Sequence, residues 1–135
     1  MFEKHVSFPM QNWDYSNKPE FKFNISDTTG RYNIFLVIRH TDGYKYNNLW
    51  LKTDLKAPGD TIRTQNIDIP LSSDANGWSG KGMDDIYEFR KNITPGPIPF
   101  KKPGTYVFTL SQVMRENPLE HILNVGIRVE KVKLQ

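Results

Sequence analysis

The sequence contains no cysteine. No disulfide and no zinc–thiolate centre can hold this fold, so the core must hold it alone. The absence fits a cytosolic protein and an envelope protein equally. Histidines are scarce too: His5, His40 and His121 lie far apart with no metal-ligand spacing. Each reads as an ordinary surface or half-buried residue. No apolar run approaches the ~20 residues of a membrane-crossing helix. The opening Met1-Phe2-Glu3-Lys4-His5 lacks the pattern of a signal peptide. Neither sign of charge dominates: 18 Lys and Arg stand against 15 Asp and Glu, a net charge of +3. No block of five basic residues occurs, so no nucleic-acid footprint is indicated.

What is present is aromatic and β-branched. Phe, Tyr and Trp make up 13% of the 135 residues, which is too aromatic for a disordered chain and tilts the prior toward strands. The length favours one domain, residues 1–135. Several segments alternate with period two. Phe21, Phe23 and Ile25 share one face; so do Leu49, Leu51, Thr53 and Leu55, with Trp50, Lys52 and Asp54 outward; so do Tyr106, Phe108 and Leu110, and Val125, Ile127 and Val129. Ile34 to Ile38 is unbroken and fits a central strand covered on both faces. Segments 32–40 and 49–55 read as an adjacent hairpin, because the loop between them contains Gly43. The apolar phase shifts between Ile62 and Ile67, which suggests a bulge near Thr64–Asn66. A helical turn is expected within 112–122, and residues 85–91 fit either a short helix or a strand. The sum is an all-β, antiparallel β-sandwich, jelly-roll-like, with seven or eight strands and at most one short helix.

One stretch breaks the pattern: Gly77-Trp78-Ser79-Gly80-Lys81-Gly82-Met83-Asp84-Asp85-Ile86-Tyr87. Three glycines in six residues permit positive φ and close approach of other groups. It does not match a phosphate loop, since Lys81 is followed by Gly82 rather than Ser or Thr. Asp84 and Asp85 read as turn and capping carboxylates more readily than as calcium ligands, lacking the alternation of an EF-hand loop. Ser79 is not in a nucleophile elbow. No catalytic set, metal site or cofactor emerges, so an enzyme is not expected. Lys81, Asp84, Asp85 and Tyr87 read as contact residues. Trp78 reads as their anchor, packed against the core. A second set comprises Trp50, Tyr44 and Tyr46, with Trp13 also a candidate, because flat aromatic faces stack on sugar rings. Trp50 faces away from the Leu49/Leu51 side. It is therefore either a sugar platform or a ring covered by a second sheet or the N-terminal segment.

Five segments together carry a resemblance over nearly the whole chain. They are Tyr32-Asn33-Ile34-Phe35-Leu36-Val37-Ile38-Arg39-His40; Tyr46-Asn47-Asn48-Leu49-Trp50-Leu51; Trp78-Ser79-Gly80-Lys81-Gly82 with Asp85-Ile86-Tyr87; Pro103-Gly104-Thr105-Tyr106-Val107-Phe108 with Gln112-Val113-Met114-Arg115; and Val125-Gly126-Ile127-Arg128-Val129-Glu130-Lys131. In this order they are similar to the gliding-motility lipoprotein H (GldH) family of Bacteroidota. The resemblance implies an envelope lipoprotein anchored through an acylated N-terminal cysteine. That cysteine is not in this sequence, which departs from the family at its exported end. The resemblance also implies an accessory part of the gliding machinery, tied to type IX secretion, with other envelope proteins as partners. It carries over no catalytic residues. The alternative expectation is a carbohydrate-binding module of the envelope, with a glycan as partner.

Overall fold

The computed structural model describes residues 2–73, 77–78, 81–83 and 86–132, with backbone alone for those between 72 and 83. Fourteen strands occur among them. They are β1 (Phe2–Ser7), β2 (Asn12–Trp13), β3 (Glu20–Ile25), β4 (Arg31–Thr41), β5 (Asn48–Lys56), β6 (Ile62–Pro70), β7 (Ser72–Ser73), β8 (Gly77–Trp78), β9 (Lys81–Met83), β10 (Ile86–Asn92), β11 (Ile98–Pro99), β12 (Gly104–Gln112), β13 (Leu119–Glu120) and β14 (Ile122–Lys131). Eight of these have six residues or more: β1, β3, β4, β5, β6, β10, β12 and β14.

The long strands form two antiparallel sheets. One runs β1-β14-β4-β10-β9, with β11 also paired to β4; the other runs β3-β12-β5-β6. Along the long strands β1, β3, β4, β5 and β6, three of the four successive steps change sheet, and only β5 to β6 is a hairpin between neighbours. The arrangement is that of an antiparallel, sandwich-like all-β fold. Period-two alternation supplies the two inner faces. Ile34, Leu36 and Ile38 of β4 and Val125, Ile127 and Val129 of β14 meet Phe21, Phe23, Leu49, Leu51, Phe108 and Leu110 of the other sheet in one buried cluster. Removing each such side chain from water contributes roughly 1.5–3 kcal/mol. The Phe2 ring of β1 packs at 5.7 Å on the Phe23 ring of β3, so even the edge strand closes onto the opposite sheet.

Three local expectations are corrected by this arrangement, and one left open is decided. Segments 32–40 and 49–55 are not a hairpin. β4 lies between β14 and β10, and β5 lies between β12 and β6; loop 42–47 carries the chain across the core. Alternation assigns a strand its inner face but not its sheet. There is no bulge at Thr64–Asn66: β6 pairs with β5 without a break from Ile62 to Pro70. Ile62 simply lies on the outer face and is 57% exposed. The irregular register falls instead in β14, between Ile122 and Asn124. Among the described residues the one helical turn is Pro9–Gln11, not a segment within 112–122, where Leu119–Glu120 pairs with Asn12–Trp13. Residues 85–91 fit either a helix or a strand; the described ones among them belong to strand β10, Ile86–Asn92.

The registers sort the loops into two ends. Phe2, turns 26–30 and 57–61 and segment 93–103 share one end, since Lys131 pairs with Tyr32, Gly104 with Ile25 and Lys56 with Ile62. Segments 8–19, 42–47 and 113–121 share the other, where Ile122 pairs with His40 and Gln112 with Leu51.

Candidate functional site

At the second end, β5 turns Trp50 outward while Leu49 and Leu51 point into the core. Trp50 is 42% exposed, so it is not covered by another sheet. Its ring lines a groove of about 660 Å³ together with Tyr46, Asn48, Asn66, Val113, Met114 and Arg115.

A buried amide shapes one wall of this groove. Gln112 is 2% exposed, at the end of β12. Its Nε2 donates to the Trp13 carbonyl at 3.3 Å and the Glu116 carbonyl at 3.2 Å, and its Oε1 accepts from the Met114 N–H at 2.8 Å. A buried side-chain amide left without partners is costly, so this set of bonds fixes the path of residues 113–116. The Val113 N–H donates to the Trp50 carbonyl at 3.0 Å and ties the same loop to β5. The other wall is set by Tyr44, whose hydroxyl donates to the Asn48 carbonyl at 2.7 Å. The Asn48 amide nitrogen donates to Asp68 at 2.8 Å. Lys45 bridges the two loops through Glu116 at 2.9 Å.

The residues singled out from sequence therefore separate. Trp50 and Tyr46 line one groove. Tyr44, expected with them as an exposed ring, is 4% exposed. It belongs to the core, because its hydroxyl reaches a backbone carbonyl and its ring can be buried without an orphaned polar atom. Burial pushes that hydroxyl well above its usual titration range, with the neighbouring Tyr46, Glu116 and Asp68 adding to the effect. Trp13 is fully buried, stacked on Phe8 at 4.9 Å. Asp84 and Asp85 lie outside the described residues, as do the side chains of Trp78 and Lys81. Tyr87 is described and is half-buried on β10.

Sequence reading missed the residue that joins the two sets. His40, near the end of β4, is fully buried. Its ring stacks on Tyr87 at 5.7 Å and 21° and lies 5.6 Å from Tyr44, which meets Tyr46 edge-on at 5.8 Å. Four rings thus run from β10, beside the glycine-rich stretch, to the Trp50 groove. Desolvation holds the His40 pKa below its usual value, against the opposing pull of the Thr41 carbonyl and the Asp42 charge. Its Nδ1 lies 3.0 Å from the Thr41 carbonyl, an acceptor, so the neutral ring carries its proton on Nδ1. Asn48, Asn66 and Arg115 were also missed. Only the alternation of β5 and β6 hinted at Asn66, which sits on the same outer face as Trp50.

The GldH lipoprotein family model matches residues 1–129. The chain belongs to the GldH lipoprotein family. Curated relatives agree. A gliding motility lipoprotein GldH homolog of Christiangramia forsetii is 28% identical over 133 residues, covering 90% of this chain and 79% of the relative. The gliding motility lipoprotein GldH of Flavobacterium johnsoniae is 27% identical over 126 residues, covering 88% and 77%. This GldH-family chain is accordingly a gliding-motility lipoprotein, membrane-anchored in the cell envelope. Two of the segments that carried the resemblance, 46–51 and 112–115, are the two walls of the Trp50 groove.

Proposed function

We propose that this GldH-family lipoprotein is a non-catalytic accessory subunit of the gliding machinery, associated with type IX secretion. The observation that supports this reading is the chemistry of the Trp50 groove. It offers an aromatic face, two amides and a guanidinium, and among the described residues no carboxylate or histidine lines it. Such side chains bind and orient; a hydrolytic site needs an acid–base pair within reach of one bond. Partner proteins contact the end of the sandwich that holds the groove and the glycine-rich stretch, through Lys81, Asp84, Asp85 and Tyr87, with Trp78 as their anchor. The test is a crosslinked pull-down of the lipidated protein from its native envelope, read by mass spectrometry. Recovery of motility or secretion components is the expected result. Turnover of any substrate that disappears on replacing one carboxylate would overturn the non-catalytic reading.

A second reading is favoured by Trp50 itself. A Trp ring in water beside the Asn48 and Asn66 amides suits an oligosaccharide, whose C–H faces stack on the ring while hydroxyls take the amides. A soluble envelope polysaccharide should shift the Trp fluorescence of the chain, and Trp50→Ala should abolish that shift. No shift in the unaltered chain would remove the glycan as partner.

A further inference from the structure

The end of the sandwich opposite the Trp50 groove carries a concentration of positive charge that the near-balanced composition conceals. Arg31, Lys56, Arg63, Lys101, Lys102 and Lys131 cluster in its turns and strand ends, and all six are exposed. Among the described residues, Asp27, Asp60 and Glu130 oppose them there, and Glu130 is engaged by Arg128 at 3.0 Å. Asp27 is engaged by Lys131 and by the Thr29 N–H and hydroxyl. Asp60 accepts the Thr61 N–H at 2.7 Å, and its backbone carbonyl takes Lys56 at 2.8 Å. Arg63, Lys101 and Lys102 form no ion pair among the described residues, and they line one groove of about 320 Å³ with Phe100 and Tyr106. Six cations against three carboxylates leave an excess of three positive charges at this end, as many as the +3 of the whole chain. The other end is near neutral in its described loops: Asp14, Asp42, Glu116 and Glu120 stand against Lys18, Lys45 and Arg115.

The chain starts at the basic end. Phe2 packs on Phe23, and Phe23 in turn meets Phe100 at 5.9 Å and Tyr106 at 5.6 Å, the two rings that floor the basic groove. The first strand thus opens at the same end as the cations. Exposed cations within a Debye length of an anionic bilayer are attracted to it, and the attraction is screened by salt.

We propose that this end of the sandwich is a membrane-facing surface, with Arg63, Lys101 and Lys102 binding the anionic headgroups of the bilayer that holds the lipid anchor. The domain then stands on the membrane with the Trp50 groove and the His40–Tyr87 stack turned away from it. The proposal rests on membership of a lipoprotein family and not on the partner assignments above.

The test uses the chain without lipid, floated with vesicles of phosphatidylcholine alone or with about one third phosphatidylglycerol. Each cation near an anionic surface adds roughly fivefold in affinity. The unaltered chain should bind the anionic vesicles at low salt, lose that binding at high salt and ignore the neutral ones. Lys101→Glu with Lys102→Glu should weaken binding by about tenfold or more. Orientation is read by single cysteines, which the sequence makes unique. A polarity-sensitive dye on Thr61→Cys should respond to anionic vesicles and one on Asn17→Cys should not. Equal binding to both vesicles, no binding at low salt, an undiminished charge-reversed variant or a response only from residue 17 would each overturn the proposal. So would competition by millimolar inorganic phosphate at constant ionic strength, which would make the groove a phosphate pocket instead.

Discussion

Gly126→Ala should loosen the edge of the first sheet, and the size of the effect can be worked out from its surroundings. Gly126 lies in β14, opposite His5 of β1 on one side and Val37 of β4 on the other. A Cβ there would come within 2.4 Å of the Lys4 carbonyl oxygen and 2.6 Å of His5 Nδ1. Optimal contacts lie near ~3.5–4.0 Å, so something must move by roughly 1 Å. The carbonyl belongs to a paired strand and cannot rotate away. β4 is held between two neighbours, whereas among the described residues β1 pairs only with β14, so β1 yields. Overpacking of this kind costs about 1–3 kcal/mol. Displacing β1 also disturbs Phe2 on Phe23 and the Glu3 carboxylate between Arg128 and Arg90. For a domain of this size the midpoint should fall by roughly 4–12 °C. Gly30→Ala is the control. Its Cβ would meet Lys131 Cε at 2.7 Å, the far end of a flexible side chain that can swing aside. It should cost well under ~1 kcal/mol. Thermal melts by circular dichroism, with amide exchange to locate the change, make the comparison. A Gly126→Ala midpoint within about 1 °C of the unaltered chain, or an equal loss from Gly30→Ala, would refute the reasoning.

Further expectations concern pH and the two described tryptophans. His40 is held neutral by burial, so its folded pKa lies below its unfolded value near 6.5. The unfolded chain then binds the extra proton first, and stability should decline as pH falls below about 6.5. His40→Gln should flatten that decline in melts taken between about pH 7 and 5. Glu3 acts lower on the scale. The His5 hydrogen bond, with Arg128 and Arg90, brings its carboxyl from 4.5 down to about 2 against the opposing effect of burial, so its contribution is lost as pH falls through that interval. Glu3→Gln should reduce the stability lost there. Trp13→Ala should cost about 3–5 kcal/mol, since the ring is fully buried and its Nε1 donates to the Asn17 carbonyl at 2.7 Å. Trp50→Ala should cost about 1 kcal/mol or less in the same denaturation series.

Faces were legible in the sequence because a strand alternates its side chains. Phe21, Phe23, Leu49, Leu51, Tyr106, Phe108, Val125 and Ile127 all point inward as the period of two requires. The outward Trp50 follows from the same rule. Local pattern also sufficed for the class of fold, and the five ordered segments for the family, because each is a property of neighbouring residues. Which strand lies beside which was not legible. A loop of six residues between β4 and β5 fits a hairpin or a crossing of the core equally well, and burial of both inner faces against each other decided for the crossing. The fate of each aromatic ring was likewise tertiary. Tyr44 and Tyr46 stand two apart with the same composition around them, yet the first finds the Asn48 carbonyl for its hydroxyl and is buried, while the second lines a groove. His40 gained its neighbours from β10 and from the loop after β4, which are 47 and 4 residues distant along the chain. The sequence by itself determined a β chain with two-faced strands and a near-neutral composition. Only the tertiary structure gathered six scattered cations at the end where the chain begins, because charge is counted along a sequence but acts through space.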